Sequence, residues 1–227
     1  MLILAIDTAL DACSVVVFDA ARDVVVARES APMARGHAEA LMPMIARVMT
    51  AARLNFSAID RFAVTTGPGS FTGMRVGIAA ARGLGLASGK PVVGLSTLAA
   101  FAAPYIAEDP TLPVLVAIDA RHDHVYLEIF GTAGHTLVSP RVVSIAEALR
   151  LSAGGTPRIV GTAANVLAAA WSPGGKQPVS VEPRMAPDID WLARLGGAAN
   201  VAGSPAKPLY IRPPDAQPQT AAKLARQ

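Results

Sequence analysis

The sequence predicts an α/β protein of two lobes, each a mixed sheet with flanking helices. Three observations carry that prediction. Apolar runs at residues 2–7, 13–18 and 23–28 open the chain, separated by gaps short enough for hairpins. From residue 35 helical and strand patterns alternate, the order in which right-handed crossovers feed parallel strands. After Pro104 the strand-like runs begin again.

The first run is continuously apolar, the second is rich in valine, and the third carries Val24, Val25 and Val26. A helix is predicted over 35–53, because Ala38, Leu41, Met42, Ile45, Val48, Met49 and Ala52 share about a third of its circumference. Ala40, Met44 and Ala51 form a second, weaker stripe that a simple surface helix does not need. Next come a strand at 61–66, a glycine loop, a helix at 74–88, a strand at 91–95 and a helix at 96–106. In the second part, strands are predicted at 112–118, 124–130, 136–143 and 158–160. Helices are predicted at 144–151, 162–171 and 188–201, with a loop at 173–176. From residue 203 proline and polar residues predict a tail with little core of its own. The expected division is therefore 1–104, 105–202 and a tail of 203–227. No repeat of fixed period is visible.

Composition narrows the classes. Lysine plus arginine is 20 against 17 acidic residues, a net charge of +3, which supplies no broad basic field to hold nucleic acid by itself. With 52% hydrophobic and 16% charged residues, disorder along the chain is excluded. The single cysteine, Cys13, excludes an internal disulfide and a zinc site of several thiolates. The apolar start meets Asp7 without a basic lead-in, so no signal peptide is expected. The charge-free stretch 91–107 carries Pro91 and Pro104 and falls short of a membrane span. A cytoplasmic protein of a reducing compartment is expected.

The segment Thr65-Thr-Gly-Pro-Gly-Ser-Phe-Thr-Gly-Met-Arg-Val-Gly77 lies between a strand and a helix, where backbone N–H groups can hold an anion. Gly67, Gly69 and Gly73 permit close approach or positive φ, and Ser70 and Thr72 are natural helix caps. No lysine stands where a P-loop needs one, and the glycine spacing misses the dinucleotide fingerprint. An anion cradle and a tightly packed helix cap both remain open. In the following helix Gly77, Ala81 and Gly85 recur every four residues, and glycine inside a helix costs about 1 kcal/mol relative to alanine. Packing against the sheet would offset that. So would close approach of a second protein.

Asp119, His122 and His124 form the one histidine–carboxylate cluster, with a spacing compatible with metal binding or with a polar turn entering a strand. His37, beside Glu39, reads as a solvated or capping residue. Cys13 among valines reads as a buried small hydrophobe. Asp7 and Thr8 end the first strand, where an acid can serve a metal, a nucleotide or an ordinary turn. None of these constellations establishes an enzyme.

Ile3-Leu-Ala-Ile-Asp-Thr8, Cys13-Ser-Val-Val16, His37-Ala-Glu-Ala-Leu-Met-Pro43, the segment 67–77, Val92-Val-Gly-Leu-Ser96, Asp119-Ala-Arg121 and Tyr210-Ile-Arg212 occur in the order seen in the TsaB (YeaZ) family, which the chain resembles over nearly its whole length. The resemblance implies the actin-like ATPase (ASKHA, RNase H-like) fold. It also implies a role in making threonylcarbamoyladenosine in tRNA, as the non-catalytic partner of TsaD, which transfers threonylcarbamoyl from threonylcarbamoyl-AMP. TsaE, a P-loop ATPase, joins the two in an ATP-dependent ternary complex. The catalytic paralogue carries two histidines four residues apart on the helix after its fifth strand. Thr97 and Phe101 stand at the corresponding places here, so neither catalytic nor metal-ligating residues are expected, and no cofactor.

The family commonly has serine where this chain has Ala9, which weakens the expectation of nucleotide binding. Asp7, Thr8, Gly67, Gly69, Ser70, Thr72 and Gly73 are then a vestigial nucleotide loop. The two helices at 35–53 and 74–88 are implied to bundle with those of the paralogue or of a second copy in a homodimer, through Ala40, Met44, Ala51, Gly77, Ala81 and Gly85. The competing expectations are a metal-dependent hydrolase built on Asp119, His122 and His124, and a stand-alone ATPase built on Asp7, Thr8 and the glycine loop.

Overall fold

The structure, a computed structural model, describes residues 1–152, 155–171 and 176–211. Strands β1 (Leu2–Asp7), β2 (Ala12–Asp19) and β3 (Val24–Pro32) form an antiparallel meander. After α1 (His37–Ala52), strand β4 (Arg61–Gly67), helix α2 (Phe71–Ser88) and strand β5 (Val92–Ser96) add two parallel strands, giving the order β3-β2-β1-β4-β5. Helix α3 (Thr97–Glu108) leads to β6 (Val114–Asp119), β7 (His124–Phe130) and β8 (Thr136–Ser144). Then follow α4 (Ile145–Leu151), β9 (Arg158–Val160), α5 (Ala164–Ala169), β10 (Ser180–Glu182) and α6 (Ile189–Ala198). The second sheet has the order β10-β9-β6-β7-β8, with β6–β7–β8 antiparallel and β6–β9–β10 parallel. Read from β8, that is the first sheet again. The second sheet thus repeats the topology of the first, as a duplicated fold does, and by register and face Ile3-Leu4-Ala5-Ile6 of β1 stands where Val114-Leu115-Val116-Ala117 stands in β6.

Strand side chains alternate between faces, so each sheet has an outer and an inner core. On the first sheet Leu4, Ile6, Val15, Val17 and Val64 pack outward on α1 and α2. Its inner face, with Ile3, Ala5, Val16, Phe18 and Ala63, is covered by Ile189, Leu192 and Ala193 of α6. On the second sheet Leu115, Ala117 and Leu127 face α4 and α5, while Val114, Val116 and Ile118 face Leu98, Phe101 and Tyr105 of α3. The layers run helices, sheet, helices, sheet, helices. The two middle helices are exchanged: α3 follows the first sheet and packs on the second, and α6 follows the second and packs on the first. Being covered from both sides explains why α3 is apolar around most of its circumference.

The structure differs from the sequence reading in several places. Helix α2 begins at Phe71, not 74, because the Ser70 hydroxyl accepts the Gly73 N–H and starts the helix there. Strand β3 continues to Pro32, and β10 is too short to leave a pattern. The division at 104 falls inside α3, and α6, placed by sequence with the second lobe, lies on the first sheet. The start of the expected tail is a strap along β5: Gly94 donates to Ser204 at 2.9 Å, Leu209 donates to Thr66 at 2.8 Å, and Ala206 joins the first core. Residues 173–175 of the expected loop and 212–227 of the expected tail lie outside the described residues. No helix among the described residues is long and apolar enough to cross a membrane.

Candidate functional site

The glycine loop presses directly on the turn between β1 and β2. The Thr8 hydroxyl donates to the Gly73 carbonyl at 2.7 Å, and the Ser70 N–H donates to the Ala9 carbonyl at 2.7 Å. A Cβ at Gly69 would sit 2.2 Å from the Ala9 oxygen, and one at Gly73 would sit 2.1 Å from the Thr8 oxygen. These glycines are therefore required by the approach of one backbone to another. Gly67, at φ +109°, turns the chain out of β4 against Met74, and Thr72 is exposed. Two of the N–H groups that a cradle would offer an anion are taken up within the fold, that of Ser70 by the Ala9 carbonyl and that of Gly73 by the Ser70 hydroxyl. Of the two forms left open for the vestigial loop of Gly67, Gly69, Ser70, Thr72 and Gly73, the geometry has the features of the packed helix cap.

Asp7 and Thr8 are buried beneath it. Oδ1 of Asp7 accepts from the Thr65 hydroxyl at 2.5 Å and the Ala9 N–H at 3.0 Å, while Oδ2 has no partner. Burial pushes this carboxyl above its usual range, with the Thr65 and Ala9 hydrogen bonds and the nearby His37 acting against the rise. His37 is buried, and its Nε2 lies 3.0 Å from the Leu10 carbonyl and 3.2 Å from that of Ala12. Carbonyls only accept, so Nε2 carries the proton. The expectation of a solvated or capping histidine is corrected: His37 ties α1 to the β1–β2 turn. Cys13 is buried as expected, and burial pushes its thiol up to about 11, which leaves it a poor nucleophile.

The small-residue row of α2 faces inward. A Cβ at Gly77 would lie 2.5 Å from Thr8 Oγ1, one at Gly85 would lie 2.3 Å from Val92, and Ala81 is fully buried. Met44 is buried in the same core. Ala40 and Ala51 lie on the side of α1 that turns toward β3, where Arg47 makes a two-pronged ion pair with Glu29. Of the six residues expected to dock, Met44, Gly77, Ala81 and Gly85 are corrected to core, while Ala40 is half-buried and Ala51 exposed. Helices α1 and α2 also leave open Met42, 49% exposed, Ala46, Ala79 and Gly83. An added Cβ at Gly83 would meet nothing within 4 Å.

The turn after β6 holds Arg121, His122 and Asp123 in consecutive left-handed conformations, φ +62°, +51° and +57°. Asp119 Oδ1 accepts the Arg121 N–H at 2.8 Å, and His124 Nδ1 lies 2.6 Å from the His122 carbonyl. These polar groups serve the turn. Among the described residues no three of His, Cys, Asp and Glu converge into a group able to hold a metal. Thr97 and Phe101, on the helix after the fifth strand, are both buried.

One cluster escaped the sequence reading. The strap brings Tyr210 to α2, where its hydroxyl accepts from Arg75 Nε at 2.9 Å and its ring lies 5.7 Å from that of Phe71. The Arg75 guanidinium sits 3.6 Å above the Phe71 ring. Only the motif Tyr210-Ile-Arg212 hinted that this segment had a fixed place.

Two sheets of identical topology with exchanged helices between them define a two-lobed α/β protein of the actin-like class. Residues 30–182 match the sequence-family model described as "TsaD: tRNA N6-adenosine threonylcarbamoyltransferase". The chain is 40% identical over 126 residues to the tRNA threonylcarbamoyladenosine biosynthesis protein TsaB of Escherichia coli, an alignment spanning 56% of this chain and 53% of that protein. It is 34% identical over 218 residues, 95% of this chain and 94% of the relative, to an uncharacterized protein of Mycobacterium tuberculosis. Among solved structures, YeaZ from Pseudomonas aeruginosa superimposes with a TM-score of 0.75 at 27% identity, covering 92% of this chain and 99% of that one. The chain belongs to the TsaB/YeaZ family. It spans about half the length of the E. coli TsaB that it matches.

Proposed function

We propose that this protein serves the synthesis of threonylcarbamoyladenosine in tRNA as a non-catalytic subunit. It docks on a TsaD-type paralogue, which performs the transfer from threonylcarbamoyl-AMP, and a TsaE-type ATPase joins the pair in the cytoplasm. The E. coli relative's name and the family match support the pathway. Buried Thr97 and Phe101, neither able to replace an imidazole as a metal ligand, support the non-catalytic part.

The observation that carries the docking is Gly83. It stands exposed in the middle of α2, costs about 1 kcal/mol relative to alanine, and has no atom of its own chain near enough to require it. Close approach of another backbone would require it. Met42 and Ala46 on α1 and Ala79 on α2 are likewise exposed and uncharged. Ala81, buried in the core, is no probe of this face.

Gly83→Arg and Ala79→Glu are the test. Each should abolish co-purification with the paralogue while the melting temperature of the isolated chain stays within a few degrees of wild type. Association retained in both variants sinks the docking face. Turnover by the pure chain, given threonylcarbamoyl-AMP and tRNA alone, sinks the non-catalytic reading.

A further inference from the structure

We infer that the seam between α2 and the C-terminal strap is an RNA-contact strip that stacks an unpaired base and holds the phosphates beside it. The inference deepens the proposed role in tRNA modification and rests on it for the identity of the RNA. At 100° per residue Phe71, Arg75 and Arg82 fall within about 60° of the α2 circumference, on the side turned away from α1 and toward the strap. The strap supplies Lys207 and Tyr210, and the turn after α2 supplies Lys90. Arg82, Lys90 and Lys207 line one open groove of about 670 Å³ together with Gly83 and Leu86, and no acidic residue lies in its lining. Among the described residues none of these three cations, nor Arg75, is paired with a carboxylate. In a chain whose net charge is only +3, four such cations along one seam are a local excess.

The aromatic end distinguishes RNA from other polyanions. Phe71 is 43% and Tyr210 46% exposed, so that beside the Phe71 face covered by Arg75 they leave π surface open of the kind protein interiors normally cover. It is held in place by Arg75, which lies over Phe71 and donates to the Tyr210 hydroxyl. A fixed aromatic surface next to a guanidinium, continued by a row of cations, is what a single strand with an unstacked base requires: π faces for the base and positive charge for the backbone. An acidic peptide would use the cations and leave the rings idle. A net charge near zero excludes a broad basic field, but not a strip of this size.

The test is fluorescence anisotropy of a short labelled single-stranded RNA with the isolated chain, at 50 mM and 200 mM salt. Lys90→Glu/Lys207→Glu should weaken binding at least tenfold and reduce the salt slope by one to two, since each phosphate contact on a single strand contributes about 0.7. Tyr210→Ala should weaken binding roughly tenfold with the salt slope unchanged. The control Arg22→Glu/Arg141→Glu makes the same net charge change on exposed positions elsewhere and should stay within threefold. An equal loss in that control overturns the strip. So do absence of binding at 50 mM salt, equal competition by polyglutamate of the same charge, and equal binding by phosphatidylserine vesicles. Because Gly83 lines the groove, Ala79→Glu alone separates the two readings: if it leaves association with the paralogue intact while strip-dependent RNA binding persists, the docking reading falls alone.

Discussion

Arg61 and Arg158 hold the same place in the two sheets. Each opens its sheet's fourth strand, and each donates from Nη1 into the C-terminal carbonyls of the helix lent by the other lobe. Arg61, paired in register with Ile3, reaches the carbonyls of Gly196, Gly197 and Ala199 at 2.8, 3.0 and 2.9 Å, at the end of α6. Arg158, paired with Val114, reaches the Tyr105 carbonyl at 3.1 Å and Glu108 at 3.0 Å, at the end of α3. A cation there satisfies carbonyls left over by the helix and opposes its dipole. Duplication has thus kept a clasp as well as a topology, and the clasp closes the exchange.

The two clasps should differ in strength. Arg61 serves three carbonyls at a half-buried place, whereas Arg158 has one carbonyl and a carboxylate that is 70% exposed. Hydrogen bonds from a charged donor contribute about 1.5–3 kcal/mol when buried and far less at the surface. Arg61→Ala should therefore lower unfolding stability by about 2–3 kcal/mol and Arg158→Ala by about 1 kcal/mol. Urea unfolding followed through Trp191, which lies on α6, measures both. Equal losses would mean that the carbonyl count does not set the strength.

Two glycines of α2 should respond to alanine with opposite signs. At Gly73 the new Cβ would meet the Thr8 carbonyl oxygen at 2.1 Å, and backbone cannot swing aside as a flexible side chain can. Overpacking of that kind costs about 1–3 kcal/mol, and the Thr8–Gly73 hydrogen bond is lost with it. At Gly83 nothing lies within 4 Å, so alanine should stabilise the isolated chain by about 0.5–1 kcal/mol. Thermal unfolding of the two single variants reads the signs directly. A destabilised Gly83→Ala protein would show that this glycine serves its own fold.

That contrast marks what the sequence could convey. Periodicity places small residues on a helix, but it does not say whether the covering surface belongs to the same chain. Gly77, Ala81 and Gly85 therefore look like Gly83 until the β1–β2 turn and Val92 are brought against the first three. The first sheet was legible because its runs are continuously apolar or valine-rich and separated by short gaps, and the Ser70 cap was legible as a residue type though not as a start point. The helix exchange was not, since the apolar pattern of α6 announces a face and not the sheet beneath it. The duplication hid because the strands that match by register and face, Ile3-Leu4-Ala5-Ile6 and Val114-Leu115-Val116-Ala117, share little beyond apolar character. Tyr210 and Phe71 meet only because the strap returns along β5, which no local pattern encodes.

Glu128 should give the fold a measurable pH dependence. It lies on β7 among inward-facing residues, and burial pushes its carboxyl up to about 7, a hydrogen bond with Thr136 acting against the rise. Because the folded value stands above the ordinary carboxylate range, folding favours the protonated form. Its contribution is complete below about pH 4.5, declines as pH rises toward 7, and is gone above that. Glu128→Gln keeps the shape and cannot ionise, so it should match wild type near pH 4.5 and exceed it in stability at pH 8. Asp7, also raised, is present in both proteins, and the difference between their urea midpoints isolates Glu128. Midpoints that run parallel from pH 4.5 to 8 would mean that the carboxylate finds water or a cation when it ionises, and that the inner face of the second sheet is less sealed than its packing implies.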